Sequence, residues 1–163
     1  MITAAKGMAN GTPVGLCIAT PEVADSFKGL TISTFGGNPV SSVAAKATIE
    51  VIEEEKLLQN VERVGAYFRR KLEGLQQKHA VIGDVRGLGL MQGLELVKDP
   101  KTKEPAPEAT NQFIGLCRDG GLLVGKGGLF ANVIRLSPPL NIQESDVDRA
   151  IEIMDKSFAS VKP

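Results

Sequence analysis

Tryptophan is absent from the 163 residues, and tyrosine occurs only once. A chain so poor in flat rings offers no stacking platform for single-stranded nucleic acid. An excess of one charge is also lacking, since Lys plus Arg and Asp plus Glu each number 19. That balance excludes the basic footprint of a nucleic-acid-binding domain and any pull toward an anionic membrane. No apolar run approaches a membrane span, and Met1-Ile2-Thr3 has no signal-peptide character. Cysteine is scarce. Cys17 and Cys117 lie far apart, outside any Cys-x-x-Cys context, and read as small buried hydrophobes of a reducing compartment. The single histidine, His79, has no Cys, Asp or Glu at ligand spacing, so no metal site is expected. The expectation is a soluble, cytoplasmic protein without nucleic-acid or membrane partners.

What is present suits one domain or parts of two. Apolar residues make up 42% of the chain, enough to bury a core. Ile2 to Ala5 is a short apolar strand that runs into Lys6 and a glycine-rich turn. Val14 to Thr20 is nearly continuous in apolarity, as in a strand buried on both faces of a parallel sheet. Thr20 and Pro21 open a short helix that ends near Phe27, and 30–37 is a loop. Asn38 and Pro39 open the next helix as cap and first residue. Its expected buried face is Val40, Val43, Ala44, Ala47 and Val51. A break near Lys56 precedes a second long helix with Leu58, Val61, Val64, Phe68, Leu72 and Leu75 on one stripe and a solvated charged face opposite. His79 ends it, where a cation suits the helix dipole.

Residues 81–97 read as strand, turn and strand, bent at Gly87 and Gly89. A polar loop, a helix over about 108–118, strands at 122–124 and 132–136 and a final helix over about 144–161 follow. The last helix turns Val147, Ala150, Ile151, Met154 and Phe158 inward. From about residue 57 this is an α+β layer, with helices on one face of a small, mostly antiparallel sheet. The part before residue 40 reads as the edge of a larger parallel α/β sheet.

Four residues invite a chemical reading. Lys6 stands between a strand end and glycines that let a ligand approach the backbone. An amine there forms a Schiff base if burial or a neighbouring cation frees its lone pair, and is otherwise a solvated turn lysine. Thr34, before two glycines and a helix start, suits a phosphate or is a plain turn hydroxyl. Arg135 interrupts the apolar strand Val133-Ile134-Arg135-Leu136. Its planar fork binds a carboxylate, or it is a structural or outward-facing residue. Arg86 reads as structural. Two glycine-rich stretches fail as nucleotide sites. Gly120 to Lys126 is followed by Gly127 where a P-loop needs Ser or Thr, and by a strand where a helix should start. Gly87-x-Gly89 lacks its third glycine.

Four ordered stretches resemble the class III aminotransferases: Ala5-Lys6-Gly7-Met8-Ala9-Asn10-Gly11-Thr12-Pro13, Ser33-Thr34-Phe35-Gly36-Gly37-Asn38-Pro39, Asp84-Val85-Arg86-Gly87-Leu88-Gly89-Leu90-Met91 and Val133-Ile134-Arg135-Leu136-Ser137-Pro138-Pro139-Leu140. The stretch from Gly120 to Gly128 resembles the alanine–glyoxylate and ω-amino acid branch. The resemblance covers essentially the whole chain. It implies the C-terminal part of a fold-type I enzyme: residues 1–56 as the tail of the large domain that binds pyridoxal 5′-phosphate (PLP), and residues 57–163 as the small C-terminal α+β domain. By the resemblance, Lys6 holds the cofactor as a Schiff base. Thr34 contacts the cofactor phosphate of a partner subunit, in a homodimer with composite sites, and Arg135 takes the substrate carboxylate. The family's acidic partner for the pyridine nitrogen and its main phosphate cup are expected upstream of the lysine. The implied activity moves an amino group from an amino acid or ω-amine to a 2-oxo acid. A racemase, aminomutase or decarboxylase of the same family is the alternative, as is a non-catalytic dimerisation domain.

Overall fold

The computed structural model describes residues 1–161. The chain divides into two compact units, Met1–Leu57 and Leu58 onward.

In the first unit β1 (Ile2–Ala5) and β2 (Gly15–Ile18) form a two-stranded antiparallel ribbon, with Ala5 paired to Gly15 at its closed end. The parallel, doubly buried strand expected over 14–20 is not found. β2 is short and exposed along its length, because among the described residues its ladder partner is β1 and no layer covers either face. Cys17 is accordingly exposed; Cys117 alone is buried, and burial pushes its thiol pKa up. Thr20 and Pro21 start α1 (Pro21–Asp25), which ends two residues short of Phe27, and the Thr20 hydroxyl makes no cap bond.

α2 (Pro39–Glu54) opens as its sequence requires. Asn38 Oδ1 accepts a hydrogen bond from Ser41 N at 3.0 Å, and Pro39 fills the first position, where no N–H is needed. The buried face is not the expected one. Val40 is 75% and Val43 66% exposed, while Ser41 is buried and Ala44, Ala45 and Thr48 half-buried. Helical spacing marks an apolar stripe correctly, but it cannot say whether this chain supplies the layer that covers it. Lys56 takes a left-handed backbone, φ +52°, and separates α2 from α3 (Leu57–Lys78).

The second unit packs α3, α4 (Pro107–Asp119) and α5 (Glu144–Ser160) with a four-stranded antiparallel sheet. Its strands are β3 (Ile82–Leu88), β4 (Met91–Leu96), β5 (Gly125–Gly127) and β6 (Val133–Leu136), in the order β3-β4-β6-β5. Val64, Phe68, Leu72 and Leu75 of α3 meet Leu94, Leu96 and Ile134 of the sheet, Phe113 of α4 and Val147, Met154 and Phe158 of α5 in one core. Leu58, at the head of the expected stripe, stays exposed. The β3–β4 hairpin turns through Gly87 (φ +144°) and Gly89 (φ +55°), and its register shift falls at Gly83. Gly65 of α3 lies against that turn so closely that an added Cβ would stand 2.6 Å from Gly89 C. The strand expected at 122–124 forms instead at Gly125–Gly127, because what defines it is pairing with β6 and not its own apolarity. Lys126 therefore sits in a strand, its Nζ donating to Asn111 Oδ1, which removes the P-loop reading structurally.

The fold is mixed, with helices and two antiparallel sheets, consistent with a fragment of a fold-type I enzyme.

Candidate active site

The β1–β2 ladder ends at Ala5, so Lys6 is the first residue beyond it. A short 3₁₀ turn over Lys6–Ala9 follows. Lys6 itself is held at φ +59°, a left-handed backbone for a residue with a Cβ. Such a conformation costs about 1–3 kcal/mol, persists only where the surroundings impose it, and clusters at functional sites. Here Ala9 is buried, Asn10 N donates to Gly7 O and Thr12 N donates to Ala9 O, which close the turn behind the lysine.

A cleft of about 1680 Å³ opens beside this turn. Lys6 and Gly7 line one part; Ser33, Gly36 and Gly37 and the first turns of α2 line another. Ser41 fastens the two parts: its buried hydroxyl donates to Pro13 O at 2.9 Å, while its N–H is capped by Asn38. Asn38 also donates to Phe35 O at 3.0 Å. Ser41 is a positioning residue that sequence reading missed, since its partner lies 28 residues away and no local pattern announces such a bond. Thr34 lies in the adjacent turn and is exposed; Ser33 and Phe35 line the cleft, and Thr34 does not. Glu50 is the acid that lines it, ion-paired with Lys46 at 2.6 Å.

These residues fit part of PLP. Lys6 supplies the amine for an aldehyde, and serines beside a helix N-terminus suit an anion. The cleft holds no uncommitted carboxylate for a pyridine nitrogen.

The second unit presents Arg135. Its neighbours along β6, Ile134 and Leu136, are buried at 0% and 6% exposure, so strand alternation places Arg135 on the outer face of the sheet. None of the described residues forms an ion pair or hydrogen bond with its side chain. Arg86 lies in the same row across the sheet and is ion-paired through Nη1 to Asp84 at 2.7 Å and to Glu95 at 2.6 Å. Both carboxylates raise its pKa, Asp84 the more. One arginine of the face is thus structural, and the other is left with five donors for a visitor. A second cleft, of about 460 Å³, has Arg135, Gly125, Ser137 and Pro138 in its wall.

His79 gains a partner that its sequence neighbourhood lacks. Its Nε2 is 2.6 Å from Asp155 Oδ1, and its ring rests on Phe158. Asp155 is also bound by Lys78, and the hydrogen bonds from Lys78 and from the His79 ring hold its pKa below the usual carboxylate range, Lys78 the more. The group ties the end of α3 to α5 and lines neither cleft. No cluster of three metal-ligating side chains occurs among the described residues, and no helix there is long and apolar enough to cross a membrane.

The family model described as Aminotransferase class-III matches residues 1–158. The chain belongs to the class III aminotransferase family. It is 46% identical, over 99% of its own length and 34% of the relative's, to "Alanine--glyoxylate aminotransferase 2 homolog 2, mitochondrial" of Arabidopsis thaliana. It is 39% identical, over 97% of its length and 33% of the relative's, to "Alanine/serine racemase" of Pyrococcus horikoshii. Its fold superposes with a TM-score of 0.88, at 30% identity, on an amine transaminase from an uncultivated Pseudomonas species in the PLP-bound form, covering 98% of this chain and 38% of that one. The chain spans about a third of the length of the curated relatives it matches.

Proposed function

We propose that the protein carrying this chain is a PLP-dependent aminotransferase that moves an amino group from an amino acid or ω-amine to a 2-oxo acid such as glyoxylate, pyruvate or 2-oxoglutarate. The observation that carries the reading is Lys6: the family's lysine segment, held in a left-handed backbone at a strand end, with its amine beside a serine- and glycine-lined cleft. PLP, when bound, supplies the aldehyde and the electron sink. Lys6 is the residue that would hold that aldehyde, and its amine, once released, would take and return a proton at the substrate carbon as general base and acid. Arg135 orients the substrate through its carboxylate, so that the bond to be broken is fixed in direction. Thr34 binds the phosphate of a second subunit's cofactor across a homodimer. Its exposure outside the cleft lining supports that role, as does the uncovered apolar face of α2 around Val40 and Val43.

The test is borohydride reduction of the complete protein with PLP, followed by peptide mass analysis. The expected adduct is on Lys6, and Lys6→Ala should lower amino transfer by about 10²–10⁴-fold. An unmodified Lys6, or a Lys6→Ala protein with the parent rate, would refute the reading and leave a non-catalytic domain. The 163-residue chain by itself should bind PLP weakly, for want of a free carboxylate in the cleft; tight stoichiometric binding would contradict that. The racemase relative favours one second reading, a racemase of the same family. It would exchange the α-hydrogen of one amino acid without consuming a 2-oxo acid, which a coupled assay with and without glyoxylate separates.

A further inference from the structure

Gly125 pairs with Arg135 across the β5–β6 ladder. The row that crosses the sheet at this level is Arg86, Gly93, Arg135, Gly125. Directly paired residues of antiparallel strands project to the same face, so all four belong to the outer one. A Cβ on Gly125 would stand 3.3 Å from Arg135 Nε and 3.5 Å from its Nη2. The arginine side chain therefore lies over the backbone of β5, in the space that the side chain of any other residue would fill. Gly93, on the other flank, differs: an added Cβ there would first meet Val133 Cγ1, at 3.4 Å. The guanidinium leans toward β5.

Backbone freedom does not account for the glycine. Gly125 is not among the positive-φ residues, so its backbone is one that any amino acid adopts. A glycine within a strand weakens it and commonly marks the close approach of another group. Here the group is the Arg135 side chain.

We propose that Gly125 is a positioning residue for Arg135: its absent side chain leaves the shelf on which the guanidinium lies, and thereby sets the preference for substrates that carry a carboxylate. This rests on the reading of Arg135 as the carboxylate-binding residue. A bidentate pair needs both N–H groups in the plane of the acid. A methyl at residue 125 pushes the fork aside by a few tenths of an ångström, and a branched side chain by more, so that one of the two bonds is lost.

The test compares two amino donors on the complete enzyme, L-alanine and a carboxylate-free amine such as propylamine. Gly125→Val should lower kcat/KM for alanine about tenfold, and Gly125→Ala should give a smaller fall in the same direction. The kcat/KM for propylamine should stay within about twofold. Gly127→Ala is the control on the same strand and face, since a Cβ there meets nothing within 4 Å; it should change neither donor. A merely structural loss would lower both donors together and would overturn the proposal. Arg135→Ala separates the two layers of the argument. If it leaves the alanine kcat/KM unchanged, the carboxylate reading of Arg135 fails. If it abolishes the preference for alanine while Gly125→Val does not weaken it, only the role of Gly125 fails. A readout independent of turnover is the Nε–H resonance of Arg135, which Gly125→Val should move and Gly127→Ala should not; a resonance unmoved by Gly125→Val would overturn the proposal.

Discussion

Two glycines of α3 should respond oppositely to the same substitution. Glycine inside a helix is worth about 1 kcal/mol less than alanine, so Gly→Ala is ordinarily stabilising there. Gly74 is exposed, and a Cβ on it would meet nothing within 4 Å. Gly74→Ala should therefore gain about 0.5–1 kcal/mol. Gly65 is buried, and a Cβ on it would stand 2.6–2.8 Å from the backbone of Gly89 at the β3–β4 turn. No side chain can swing aside to relieve that overlap. The helix and hairpin must part, and overpacking of this kind costs about 1–3 kcal/mol. The helix-propensity gain offsets part of it, which leaves Gly65→Ala destabilised by about 0–2 kcal/mol and the two variants about 1–3 kcal/mol apart. Tyr67, the single tyrosine in a chain without tryptophan, lies on the same helix and donates a 2.6 Å hydrogen bond to Asp148. Its fluorescence through urea unfolding therefore reports on the second unit, with the midpoint difference converted through the common slope. Equal stabilisation by both substitutions would refute the close approach of α3 to the hairpin.

Asn38→Ala should cost the first unit about 0.5–2 kcal/mol, because Ser41 N loses its cap; circular dichroism melting with Asn38→Asp as a near-neutral control checks it. Asp155 has a folded pKa below its unfolded one, so its contribution to stability is complete above the ordinary carboxylate pKa of about 4 and is lost as pH falls through the depressed value. Asp155→Asn should flatten the acid limb of a plot of urea midpoint against pH. An unchanged limb would mean that Lys78 and His79 do not hold the carboxylate in solution.

Legibility from sequence followed how local the cause was. The start of α2 was readable because Asn38, Pro39 and Ser41 settle it among themselves. The core stripe of α3 was readable because spacing and burial coincide from Val64 to Leu75. Val14 to Thr20 misled because apolarity records that a surface is to be covered, not which strand pairs with it; β2 pairs with β1 and runs antiparallel. β5 was displaced by a few residues because Gly125-Lys126-Gly127 has no strand propensity, and only the ladder to β6 defines it. At the site, the motif around Lys6 was visible, whereas the bond from Ser41 to Pro13 joins residues 28 positions apart and no local pattern announces it. Alternation around Arg135 could have indicated its outward face. Its register opposite Gly125 could not be read, since strand register is absent from any single segment.

The double clamp on Arg86 has an electrostatic consequence for its neighbour. With two acids closed on one cation, that end of the sheet face carries a net negative charge that repels an anion, and Arg135 remains as a single-centre attractor. An arriving anion then has one destination and not two, so weak binding by chloride or acetate should compete one-for-one with substrate, and raising the ionic strength should weaken capture as expected for a single charge.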